Sequence, residues 1–149
     1  IAAPVWLAKA CNKLQGQYTS GPCSVSQIAS VAALNAPLGT VHAMVEQFEK
    51  RRNLVLSMLA EIPCVKTSKP DGAFYVFPDI SSFFGKSDGT ITINNADDMG
   101  LFILSNAFTG VVSGEAFGAP ECIRISYAAS EADLTKSLIR IKDALATLK

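Results

Sequence analysis

Charge is scarce in this chain. Thirteen Lys and Arg balance thirteen Asp and Glu over 149 residues, and charged residues make up 17% of the total, against about 25% in a typical soluble domain. A net charge of zero leaves no basic footprint for nucleic acid and no polybasic patch for a membrane surface. The apolar surplus fits a piece that packs against something else. Histidine occurs once, at His42, so a histidine-based triad has a single candidate and no evident partners; it reads as a helix-surface or core residue. The four cysteines (Cys11, Cys23, Cys64 and Cys122) form no C-x-x-C pair. They suit buried thiols in a reduced, cytosolic chain better than a zinc site or a disulfide framework. No apolar run approaches the ~20 residues that span a bilayer, and there is no signal-peptide pattern. Internal repeats and low-complexity segments are missing too. The length supports one domain, or one domain plus part of another. Because residue 1 is Ile rather than Met, the chain is expected to begin inside a larger protein.

What is there reads in order as follows. Residues 1–3 are expected to be the tail of a strand. Pro4 opens a helix marked by Leu7, Ala10, Cys11 and Leu14, and residues 15–22 break it. A second helix over 24–35 is rich in Ala and Ser and ends at Pro37. The longest helix, 41–62, carries an apolar stripe of Val41, Met44, Val45, Phe48, Val55, Met58, Leu59 and Ile62. Glu46 and Lys50 supply an i,i+4 pair, and Arg51 and Arg52 are expected on a solvated or interdomain face. Cys64–Thr67 is a candidate short strand. Pro70-Asp71-Gly72 predicts a turn, with glycine taking the positive φ, and a strand follows through Phe74, Tyr75, Val76 and Phe77. Residues 81–95 are expected to form a surface loop with little regular structure. Asn95 with Asp98, and Ser130 with Asp133, predict two helix N-termini. The helix that Asn95 opens runs to Gly110; the one after Ser130 carries Leu134, Leu138, Ile141, Leu145 and Leu148.

Between those two helices lies the stretch that organises the chain, Gly110–Ala128. Val111 and Val112 are β-branched and follow a glycine stop; Ser113, Gly114, Gly118 and Pro120 make a loop. From Cys122 the period is two. Ile123, Ile125 and Tyr127 share one face, and Cys122, Arg124 and Ser126 share the other. A guanidinium held on a strand can grip a carboxylate through two parallel hydrogen bonds, which lysine cannot reproduce. Arg124 is either that or a solvated strand residue. The helix–strand–strand–helix ending predicts an α+β unit with a small, mainly antiparallel sheet and helices packed on it.

Several segments together resemble the class I (fold type I) aminotransferases, most closely the bacterial aspartate aminotransferases. They are Gln15–Ser20, Phe48–Asn53, Pro70–Phe77, Ser113–Gly118 and Ile123–Ser126. Ser113 is a mild departure, since the bacterial group often has proline there. The resemblance covers essentially the whole chain. It implies pyridoxal phosphate as cofactor, and it implies that Arg124 binds the α-carboxylate of an amino acid or a 2-oxo acid. It also implies a remnant of a large cofactor-binding domain over 1–36, a long interdomain helix over 37–62, and a small C-terminal domain over 63–149 that closes over substrate. A cytoplasmic homodimer that uses aspartate is expected.

One part of the family's chemistry is missing from these residues. The lysine that holds the cofactor sits in an S-x-x-K motif, and none of the nine lysines has Ser or Thr three positions earlier. The N-P-x-N-P-T-G segment and the acidic partner of the pyridine nitrogen are absent as well. Arg124 is therefore the one substrate-binding residue assigned, with no catalytic residue, cofactor ligand or metal ligand, and the chain alone is expected to be inactive. Two other classes compete: a non-enzymatic amino-acid-binding regulatory module, and a structural or dimerisation fragment in which Arg124 forms a salt bridge.

Overall fold

The computed structural model describes residues 2–149. The chain separates into two compact units, one up to Thr40 and one from Val41 onward. In the first, Pro4 presets the entry into α1 (Val5–Tyr18), and its carbonyl accepts from Leu7 and Ala8 N–H at 3.0 Å. Of the expected strand tail, Ile1 lies outside the described residues, and Ala2 and Ala3 form no strand. The turn passes through Ser20 at φ 60°, and α2 (Ser24–Asn35) follows with the predicted limits. No residue of either helix is buried; Trp6, Tyr18, Ile28 and Leu34 are all exposed.

The second unit starts in the first turn of α3 (Gly39–Ala60). The expected stripe is buried only at its C-terminal end, at Val55 and Leu59 and at Ile62 just beyond. Val41, Met44 and Val45 stay exposed. The Glu46–Lys50 pair does not form; the helix carries an Arg52–Glu49 ion pair at 2.8 Å instead. Pro63 then ends the run, and the predicted strand at 64–67 shrinks to one bridge between Lys66 and Asp79.

The sheet has three short antiparallel strands, β1 (Tyr75–Val76), β2 (Val112–Ser113) and β3 (Ile123–Ser126), in the order β1-β3-β2. Tyr75 faces Ser126 and Val112 faces Arg124 across the pairs. One face of the sheet, with Val76, Ile123 and Ile125, is buried in the core. There it meets α4 (Ala96–Ala107) through Met99, Phe102, Ile103 and Ala107, and α5 (Glu131–Leu145) through Leu134, Leu138, Ile141 and Leu145. Each of these Met, Phe, Ile and Leu side chains contributes about 2 kcal/mol on removal from water. Asn95 and Ser130 cap these helices as predicted, accepting from the N–H of Asp98 (2.9 Å) and Asp133 (3.1 Å). Helix α4 closes at Phe108, which takes the left-handed conformation at φ 51°, two residues before the expected glycine stop.

Residues 81–95 depart most from expectation. They include a turn of 3-10 helix at Ser81–Phe83 and a bridge between Ser87 and Thr92, and they bury Phe83 and Ile93 in the core. Backbone bonds between Ser87 and Lys149, at 3.0 and 3.1 Å, tie this segment to the chain's last residue. Two apolar anchors among many turn residues are enough to make a surface-looking composition part of the interior. The thiols depart as well: only Cys122 is buried, while Cys11, Cys23 and Cys64 are exposed. His42 lies exposed on α3.

Candidate functional site

Arg124 sits on the middle strand of the sheet. Ile123 and Ile125, on either side of it, are sunk into the core, so its Cα is fixed while its side chain projects from the opposite face. The expected alternation holds for Ile123, Ile125, Arg124 and Ser126; Cys122, one residue ahead of the strand, is buried instead. Burial, with a further push from the Glu121 and Asp79 charges, raises the Cys122 thiol above its ordinary range.

The loop between β2 and β3 is folded tightly. Gly114 N–H donates to the Cys122 carbonyl at 2.8 Å, and the Gly114 carbonyl accepts from Phe117 (2.9 Å) and Ala119 (3.0 Å). Gly114 is required for space: at φ −77° any residue could adopt its backbone, but a Cβ there would run into the Ala119 carbonyl oxygen and lie 2.6 Å from that of Cys122. Gly118 closes the loop at φ 75°. A single turn of 3-10 helix, Glu115–Phe117, is thereby set above β3.

The consequence is the position of Phe117. The Arg124 guanidinium carbon lies 4.5 Å from the Phe117 ring centroid and 4.4 Å from that of Tyr75 on β1. Phe77 meets Phe117 edge-on at 5.8 Å, and Phe74 lies 4.4 Å from Tyr75. Phe48 of α3 extends the row, 6.0 Å from Phe74 and 6.3 Å from Tyr127. Aromatic rings attract a guanidinium through their faces but accept little from its in-plane N–H groups. Among the described residues no carboxylate pairs with Arg124, and no side chain or carbonyl accepts a hydrogen bond from it. A half-buried permanent cation flanked by two rings, with no carboxylate or carbonyl on its N–H groups, is suited to bind an anion.

The other candidate arginines differ. Arg52 is mostly buried, which removes the solvated one of the two faces expected for it. It donates to Glu49 (2.8 Å), to Asn53, and to the Pro70 carbonyl (3.4 Å). A cavity of about 350 Å³ opens beside it, lined by Val45, Phe48, Asp71 and Tyr127 among others, but the Arg52 donors already have partners. Arg51 lies over the Phe48 ring at 5.7 Å and keeps a buried Nε without a partner. No cluster of His, Cys, Asp and Glu among the described residues could hold a metal ion.

Sequence reasoning singled out Arg124 but placed Tyr75 only on a strand and gave Phe117 no role. Tyr75 is far from Arg124 in sequence and Phe117 lies across the loop that precedes it; the strand register and the loop closure bring the three together.

Comparison with known proteins adds to this geometry. A family model described as aminotransferase class I and II matches residues 1–141. The chain is 46% identical over 153 residues to a bifunctional aspartate aminotransferase and glutamate/aspartate-prephenate aminotransferase of Petunia hybrida, covering 100% of this chain and 32% of that protein. It is 41% identical over 143 residues to a probable aspartate/prephenate aminotransferase of Rickettsia bellii, covering 95% of this chain and 36% of that one. The crystal structure of the aspartate aminotransferase from Rhizobium meliloti matches with a TM-score of 0.91 at 40% identity, over 99% of this chain and 37% of that chain. The chain thus spans about a third of the length of the curated relatives it matches.

Proposed function

Because the chain belongs to the class I and II aminotransferase family, we propose that it is the part of such an enzyme that holds the substrate's α-carboxylate, with Arg124 as the binding group. The observation that carries this reading is the free donor edge of Arg124 between Tyr75 and Phe117. A bidentate pair from that edge fixes both the position and the orientation of a carboxylate, which aligns the bond to be broken at the neighbouring carbon.

The whole protein then moves an amino group between an amino acid, aspartate by preference, and a 2-oxo acid, using pyridoxal phosphate. The groups around Arg124 do not fit that cofactor. Tyr75, Phe117, Phe77, Val112 and Ser126 include no amine to condense with an aldehyde and no carboxylate for a pyridinium nitrogen. On this reading the cofactor lysine belongs to residues outside these 149, and the chain by itself is inactive. Residues 1–36 then belong to the cofactor-binding domain, 37–62, which contain α3, join the two domains, and 63–149 form the small domain of a cytoplasmic homodimer.

The test uses the full-length protein from the reading frame that contains this chain. It is treated with pyridoxal phosphate, reduced with borohydride, and mapped by mass spectrometry, with the 149-residue chain alongside. Label on one lysine in an upstream S-x-x-K, and no specific label on the short chain, is the expected result. No specific label on either would remove the enzyme reading.

A further inference from the structure

We propose that Tyr75 and Phe117 are positioning residues for Arg124, holding the guanidinium by its faces so that only its N–H edge meets the substrate. This rests on the carboxylate reading above and assigns the residues that make it work. An arginine on a strand has four side-chain torsions and, with no acid beside it, nothing polar to restrain it. Here the restraint is aromatic, with ring centroids 4.4 and 4.5 Å from the guanidinium carbon. A carboxylate in either ring's place would hold the arginine as well but would occupy its donors. Rings hold it and leave the donors free.

The two rings are supported differently. Tyr75 is on β1, half-buried, and backed by Phe74. Phe117 is on the loop, 50% exposed, and touches Phe77 edge-on. It contributes nothing to the buried core. A large aromatic left half in solvent, on a loop that Gly114 closes so tightly, has its ring contacts with Arg124 and Phe77. Phe117 is therefore the residue whose replacement separates positioning from folding.

The experiment measures succinate binding by calorimetric titration of the full-length, cofactor-loaded protein and of its Phe117→Leu, Phe117→Tyr and Arg124→Ala variants. Cofactor affinity and thermal midpoint are read on the same samples. Loss of one ring face is expected to weaken succinate binding about three- to thirty-fold. Cofactor affinity and midpoint should be unchanged, and Phe117→Tyr should restore binding. Unchanged succinate binding in Phe117→Leu, a parallel loss of cofactor affinity or midpoint, or failure of the tyrosine variant to restore binding overturns the positioning role. Arg124→Ala decides the underlying reading separately: if that variant binds succinate normally, the carboxylate assignment itself falls.

Discussion

The hydroxyl of Tyr127 donates a 2.9 Å hydrogen bond to the carbonyl of Ala73, 54 residues away in the chain. Tyr127 is buried just past the end of β3, and its N–H also reaches the Phe74 carbonyl at 2.9 Å. The two bonds fix the backbone where the turn enters β1. They account for Ala73, not Gly72, taking the left-handed conformation at φ 59°. Tyr75, two residues on, is set beside Arg124 by the β1–β3 register that begins at this anchor.

Tyr127→Phe keeps the buried ring and removes only the hydroxyl. The loss should be about 1 kcal/mol, since the exposed Ala73 carbonyl can turn to water. Urea unfolding of the full-length protein measures it. Ala73→Gly relieves the left-handed backbone at an entropic cost of similar size, so its stability should change by less than about 1 kcal/mol.

Gly114→Ala is expected to cost about 3 kcal/mol or more, because the added methyl meets two backbone oxygens that have no free direction to move. The same change at Gly118, where a Cβ finds open space but φ is 75°, should cost about 1–2 kcal/mol. Thermal unfolding of the two variants side by side gives the order; equal effects would contradict the packed loop.

Arg124→Lys retains the charge but loses both the forked donor set and the stacking. In the full-length enzyme kcat/KM for the amino acid should fall about a hundred-fold or more. An unchanged kcat/KM would sink the assignment.

Asp79 supplies a pH prediction. Hydrogen bonds from the Ser81 side chain and from its N–H (2.9 Å to Oδ1) hold the carboxyl below its ordinary range; burial opposes this, and the Lys66 charge adds a smaller pull downward. The folded state therefore takes up this proton less readily than the unfolded chain does. The stabilisation is complete above about pH 4 and disappears as pH falls through the lowered value. Asp79→Asn should be less stable than the parent at neutral pH, with the gap narrowing steadily on acidification. A gap independent of pH would show that the carboxylate's charge is not involved.

The parts legible in the sequence are those written locally. The limits of α2, the caps of α4 and α5 at Asn95 and Ser130, and the burial of Ile123 and Ile125 follow from neighbouring residues. Arg124 stood out by its strand position and by the motif around it. Contacts between distant segments were not legible. The turn composition of 81–95 masks the burial of Phe83 and Ile93, and the positive φ shifted from Gly72 to Ala73 under bonds from Tyr127. Glu49, three residues back on the same helix, was a legible partner for Arg52, but the Pro70 carbonyl that also draws it inward lies where only the folded chain puts it. Tyr75 and Phe117 depend on a strand register and on the carbonyl oxygens around Gly114.

Arg124 is mounted on the central strand, bonded to a neighbour on each side and keyed into the interior through Ile123 and Ile125. Any tension a bound anion exerts on its guanidinium is shared at once among β1, β2 and the helices beneath. Phe117 sits on the loop between β2 and β3, with its ring outside the buried core. The site thus joins a stiff handle to a cover whose ring lies outside the core, so that substitutions of that ring can retune the grip without disturbing what it is attached to.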